Sequence, residues 1–142
     1  MAHAGPIKIV QSPRLTLLLY EQFTNFRQIF TDGRALPADA NPAWFGYSVG
    51  KWEGDTFVAE TRGFNDQSWL DDTGHPHSEA LHTVERFRRR NVGHMDVEVT
   101  IDDPQLYTRP WSATFQFELI PDSDLIEKFC DNEKDQVHMV GK

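Results

Sequence analysis

The sequence predicts an all-β, antiparallel domain, most simply a closed β-barrel with a one-sided pocket, with a flattened β-sandwich as the alternative. Three observations carry this. Short runs rich in aromatic and β-branched residues recur along the chain, turn residues bound them, and no stretch keeps a helical period. Ten Phe, four Trp and three Tyr suit strands and lined pockets. Closure into a barrel removes the exposed edges that about nine such strands would otherwise present.

The runs are, in order, IKIV (7–10), LTLLLYE (15–21), FRQIF (26–30), WFGYSVG (44–50), TFVAETR (56–62), LHTVERFRRR (81–90), HMDVEVTI (94–101), SATFQFELI (112–120) and DLIEKFC (124–130). EGD (53–55), NVG (91–93) and PDSD (121–124) read as hairpin turns. Two connections are longer: 32–43, with two prolines, and 63–77, which is polar and rich in acid and imidazole.

At 142 residues the chain reads as one β domain, 1–142, whose polar tail 131–142 is expected to fray. A net charge of −8 argues against nucleic acid and anionic membranes as partners, since phosphate binding needs clustered Lys and Arg. No apolar run approaches the ~18 residues of a membrane span. Cys130 is alone, so no intramolecular disulfide is expected. MAHAGPIKIV lacks the basic and apolar regions of a signal peptide, and the compartment is left open, as is the oligomeric state.

The hairpin LHTVERFRRR–NVG–HMDVEVTIDD fixes its own register. Setting Arg90 against His94 pairs Arg88 with Asp96, Arg86 with Glu98 and His82 with Asp102. On the other face Phe87 meets Val97 and Glu85 meets Val99, whereas a one-residue slip puts Phe87 against Glu98. The basic run 86–90 is then a neutralised, solvated face. Glu85 faces an apolar surface, which points either to a pocket acid or to an inward Arg or Tyr partner that holds the barrel together.

GHPHSEALH (74–82) gathers three histidines. A metal would use His75, His77 and His82, and the H-x-H spacing is similar to that of metal-binding cupins. That pattern needs a further histidine on a facing strand; His94 lies at the far end of the hairpin and His138 lies in the tail, so no cofactor is expected. Acid–base chemistry would use His82 as base, oriented by Asp102, with Glu85 as buried acid and His77 and Glu79 at the mouth. Trp69, Tyr107, Trp111 and Asp72 would line the cavity for a small, partly apolar ligand. The remaining alternative is that this cluster only orders a loop by hydrogen bonds.

The segments GKWEGDTFVAETRGFNDQSWLDD (50–72), HSEALHTVERFRRR (77–90) and TIDDPQLYTRPW (100–111) resemble those of a large family of bacterial β-rich proteins with no known activity. The resemblance covers 26–133 and implies a homologous single β domain and, for many members, export. It draws attention to Asp55, Asn65, Trp69, His77, Glu79, His82, Glu85, Asp103, Pro104, Tyr107 and Trp111, and does not require histidine at 75. A separate analogy, the Gly-x-Trp of GKWEGDT, is with lipocalin-like barrels. The leading expectation is a cofactor-free enzyme of lyase, isomerase or hydrolase type. A non-catalytic carrier of a hydrophobic ligand, a Zn or Cu protein using the three histidines, and an interaction module are the alternatives.

Overall fold

Alternating burial along the strands explains the fold. In β2 (Leu15–Tyr20) Thr16 and Leu18 turn inward, in β3 (Phe26–Phe30) Arg27 and Ile29, and in β5 (Thr56–Arg62) Phe57, Ala59 and Thr61. With β1 (Ile7–Gln11), β4 (Tyr47–Glu53), β6 (His82–Asn91), β7 (His94–Asp102) and β8 (Trp111–Glu118) they form one eight-stranded sheet in sequence order, with no helix among the described residues. The computed structural model describes residues 5–126. The all-β prediction holds. The sheet curls into a half-barrel, and among the described residues β1 and β8 stand at its two ends without pairing to each other.

The inner face carries a core of Leu18, Ile29, Phe57, Ala59, Phe87 and Val97. Gly50 is required here, because a Cβ would stand 2.7 Å from both the Phe57 ring and Ile29. A second cluster forms where the long connection 63–81 folds back, seating Phe64, Leu70 and Leu81 on Ile101, Tyr107 and Trp111. Each cluster removes large apolar side chains from water at roughly 25 cal/mol per Å2.

Four details differ from the sequence reading. β3 and β4 pair in parallel, through Ile29–Ser48 and Phe30–Val49, while every other pairing between these strands is antiparallel. The connection 31–46 makes this possible by returning the chain to the end where β3 began. Arg34 pins that connection, binding Asp32 at 2.6 Å, reaching the Tyr47 hydroxyl at 3.0 Å and lying 3.9 Å over the Phe30 ring.

The β6–β7 register is as expected from His82–Asp102 to Arg89–Met95, but Asn91, not Arg90, faces His94. The Asn91 side-chain oxygen accepts from Gly93 N at 2.9 Å and lies 2.9 Å from His94 Nδ1; that tightens the turn and leaves Arg90 as a bulge. Three of the four arginines are ion-paired, but not with the expected partners, while Arg89 donates to the Asn91 and Val92 carbonyls. Arg86 binds Glu53 and Arg88 binds Asp55, both at the β4–β5 turn, and Arg90 binds Asp96. Finally, Asp124–Ile126 form no strand, and β8 is the last strand among the described residues. Positions 127–130 of the ninth expected strand, Cys130 and the tail 131–142 with His138 lie outside the described residues.

Candidate functional site

Glu85 turns to the inner face, as the register requires, and meets Arg27. Each carboxylate oxygen accepts from one guanidinium nitrogen, Nη1 to Oε1 at 3.0 Å and Nη2 to Oε2. Arg27 also donates to Ser48 Oγ at 3.0 Å and Thr61 Oγ1 at 2.8 Å, and the Tyr20 hydroxyl joins the same network. Burial works against the charge on Arg27, yet Glu85 and Tyr20 hold its pKa above the ordinary guanidinium range. Burial likewise pushes the Tyr20 phenol up, with Arg27 opposing. The inward carboxylate therefore has the inward Arg partner that the sequence offered as its alternative to a free pocket acid, and Tyr20 bonds that same Arg27. The signal for Arg27 was present, because FRQIF must bury Arg27 whenever it buries Ile29.

His82 points to the opposite face. Its Cα partner is Asp102, as expected, but its Nε2 lies 2.7 Å from Glu60 Oε1 on β5. Glu60 is its diagonal neighbour across the β5–β6 pair, and the longer carboxylate reaches where the directly opposite aspartate does not. His82 and Glu85 thus have separate partners on separate faces. His77 is buried; its Nε2 is 2.9 Å from Ser68 Oγ and its Nδ1 is 3.3 Å from the Ser78 carbonyl, so Nδ1 donates and Nε2 accepts. His75 is exposed and bonds Asp71 at 2.7 Å. The three histidines engage three different partner sets, and among the described residues no three His, Cys, Asp or Glu side chains are grouped as a metal site. Glu79 is exposed.

Asp103 is the organiser of this region. It accepts from Ser78 N at 2.6 Å, Ser78 Oγ at 2.8 Å and Gln105 N at 3.1 Å, while its own carbonyl accepts from Leu106 and Tyr107. Burial raises its carboxyl, but these donors outweigh it and hold the group below the usual carboxylate range. Tyr107 donates to the Pro76 carbonyl at 2.7 Å and packs edge-on against Trp111 at 5.7 Å. Tyr107 and Trp111 therefore clamp the long connection, and neither stands in the walls of the cleft that Trp69 lines.

Trp69 and Asp72 lie in a different place. They help to form an open cleft of about 840 Å3 bounded by the β2–β3 turn, the segment before β4 and the loop 68–74. Phe23, Phe26, Trp44 and Trp69 stand in its walls, 49–62% exposed, with Phe45 beside them. Phe45 is backed by Tyr20 in a stacked pair at 5.6 Å. Local backbone structure fixes each wall. Trp44 follows the bridge between Ala43 and Phe64, which carries two backbone hydrogen bonds of 2.9 Å. Trp69 pairs with Pro76 in a small hairpin whose turn is tied by Asp71, which accepts from Thr73 N, Thr73 Oγ1 and His75 N. Those donors, Thr73 first, overcome desolvation and hold the Asp71 carboxyl well below its ordinary value. Gly74, at φ 87°, lies close against the indole; a Cβ there would stand 3.2 Å from the Trp69 ring.

On the third wall, Phe23 and Thr24 both adopt left-handed backbone, φ 60° and 49°. That region is unfavourable for bulky and β-branched residues. Sequence reasoning missed Phe23, Phe26, Trp44 and Phe45 as site residues: 26–30 is strand as read, but 44–46 precede β4 instead of belonging to it, and the signal was aromatic residues placed in or beside turns. Searches of protein-family models, curated proteins and solved structures find no match to this chain.

Proposed function

We propose that this chain is a small-molecule-binding domain whose ligand occupies the open aromatic cleft between the β2–β3 turn, Trp44 and the 68–74 loop. The observation that carries the reading is the gathering of Phe23, Phe26, Trp44 and Trp69 around one concave space while each stays about half exposed or more. A contiguous exposed aromatic surface is unfavourable in water and marks a place where something binds. The left-handed backbone at Phe23 and Thr24 supports it, since strain of this kind concentrates at ligand-contacting turns. Polar groups of Gln22, Asn25, Ser68 and Asp72 sit in the same walls and would orient a ligand that is only partly apolar. This belongs to the ligand-carrier alternative, moved from a barrel interior to a cleft between loops. The intrinsic tryptophan fluorescence of the full chain, titrated with a panel of small amphiphilic compounds, tests it. Saturable quenching that Trp69→Ala and Trp44→Ala abolish is expected; binding that survives both substitutions overturns it.

A second reading, cofactor-free acid–base catalysis of lyase, isomerase or hydrolase type, is favoured by one observation. His82 Nε2 and Glu60 Oε1 form a partly exposed imidazole–carboxylate pair at 2.7 Å. A carboxylate on one ring nitrogen orients the ring and strengthens it as a base. In this reading Glu60 takes the orienting role given to Asp102. Turnover that is lost in His82→Ala and Glu60→Gln but kept in Asp102→Asn would support it, and turnover unaffected by His82→Ala would end it.

A further inference from the structure

We infer that the ligand of the aromatic cleft is a small organic cation, an alkylammonium or quaternary ammonium compound. The inference rests on the cleft being the binding site and adds the ligand's chemical class. Its first support is the charge of the walls. The charged residues among them are Asp71 and Asp72, and no Lys, Arg or His contributes. Phosphates, sulfates and carboxylates would meet repulsion here with no compensating donor charge.

The second support is how the two carboxylates are used. Asp71 is committed to the turn, held by Thr73 and His75, and stays ionised. Asp72 is exposed, and no ion pair among the described residues involves it. Among the described residues, then, no cation is paired with this carboxylate on the cleft wall.

The third support is the rings. An aromatic face is electron-rich, so a cation placed over it is attracted, most strongly over tryptophan. Trp69, Trp44, Phe23 and Phe26 all stand in the walls of the same space. Rings beside such a carboxylate suit a ligand that is both greasy and positive. A neutral apolar ligand would use the rings and waste the charge. Bulk electrostatics act in the same direction, because a chain of net charge −8 attracts cations before they dock.

Choline and its neutral carbon isostere 3,3-dimethylbutan-1-ol separate the cases, with tryptophan fluorescence of the full chain as the readout. Choline is expected to bind on the order of tenfold more tightly than the isostere. Added KCl should weaken choline and leave the isostere unchanged. Asp72→Asn should lower choline affinity several-fold without altering isostere affinity or the far-UV circular dichroism, and Trp69→Ala should remove the response to both. Equal affinities, or tighter binding of a neutral disaccharide such as maltose, would overturn the cation assignment while leaving the cleft as a binding site. No saturable response to choline, the isostere or the disaccharide would overturn both.

Discussion

Single side chains show how closely chemistry and architecture are interleaved here. Asp103 sits just after β7 and accepts two hydrogen bonds from Ser78, so one carboxylate fastens the 63–81 connection to the sheet. Asp103→Ala strands those donors and is expected to cost about 2–3 kcal/mol in urea unfolding. The same group gives a pH dependence. Its folded pKa lies below the unfolded value of about 4, so its contribution is fully present above pH 4 and fades as pH falls through the lower folded value. The gap in stability between wild type and Asp103→Asn should therefore narrow from pH 6 to pH 3; a constant gap would show that charge on Asp103 is irrelevant. Little of this was legible from periodicity, because Asp103 follows a strand in a Pro-containing turn and its partners come from 25 residues earlier. Glu60 was missed for a related reason. Its contact with His82 depends on the β5–β6 register, and the segment between those strands carries no charge pattern that fixes it.

Elements were read more completely than their neighbours. The β6–β7 register was legible because charged and apolar residues alternate on both strands, so a slip would be penalised at every pair. The bulge at Arg90 was not, since it depends on one Asn91 side chain folding back on its own turn. The parallel β3–β4 pair was hidden by the 31–46 connection, which is long enough to return the chain in either direction. Across β3 and β6, Arg27 and Glu85 form a buried ion pair with hydroxyl partners. Removing one partner, as in Glu85→Leu, should destabilise by about 3–5 kcal/mol, whereas Arg27→Met with Glu85→Leu should come within about 1 kcal/mol of wild type. A double variant as unstable as the single one would show that the pair itself, not its isolated charge, holds β3 to the inner face. At the β2–β3 turn, Thr24→Gly relieves left-handed strain that exceeds the added chain entropy, and a gain of about 0.5–1 kcal/mol is expected. A loss on thermal or urea unfolding would mean that Thr24 is not strained.

At the scale of the whole molecule, the curl of the sheet separates two kinds of polar chemistry. The inner face buries a satisfied Arg27–Glu85–Ser48–Thr61 network beside the main core, while the loops at the β3 and β4 starts gather exposed rings and acids. The fold class was legible because it is written in many short strands at once. The cleft was not, because its walls come from three turns that are far apart in sequence and meet only when the sheet curls. The most direct measurement is amide chemical-shift mapping of the 15N-labelled chain during titration with a ligand that quenches its tryptophan fluorescence. Shifts concentrated at 22–26, 44–45 and 68–74 are the predicted result. Shifts confined to the inner face around Arg27 and Glu85, or to His82 and Glu60, would contradict the account.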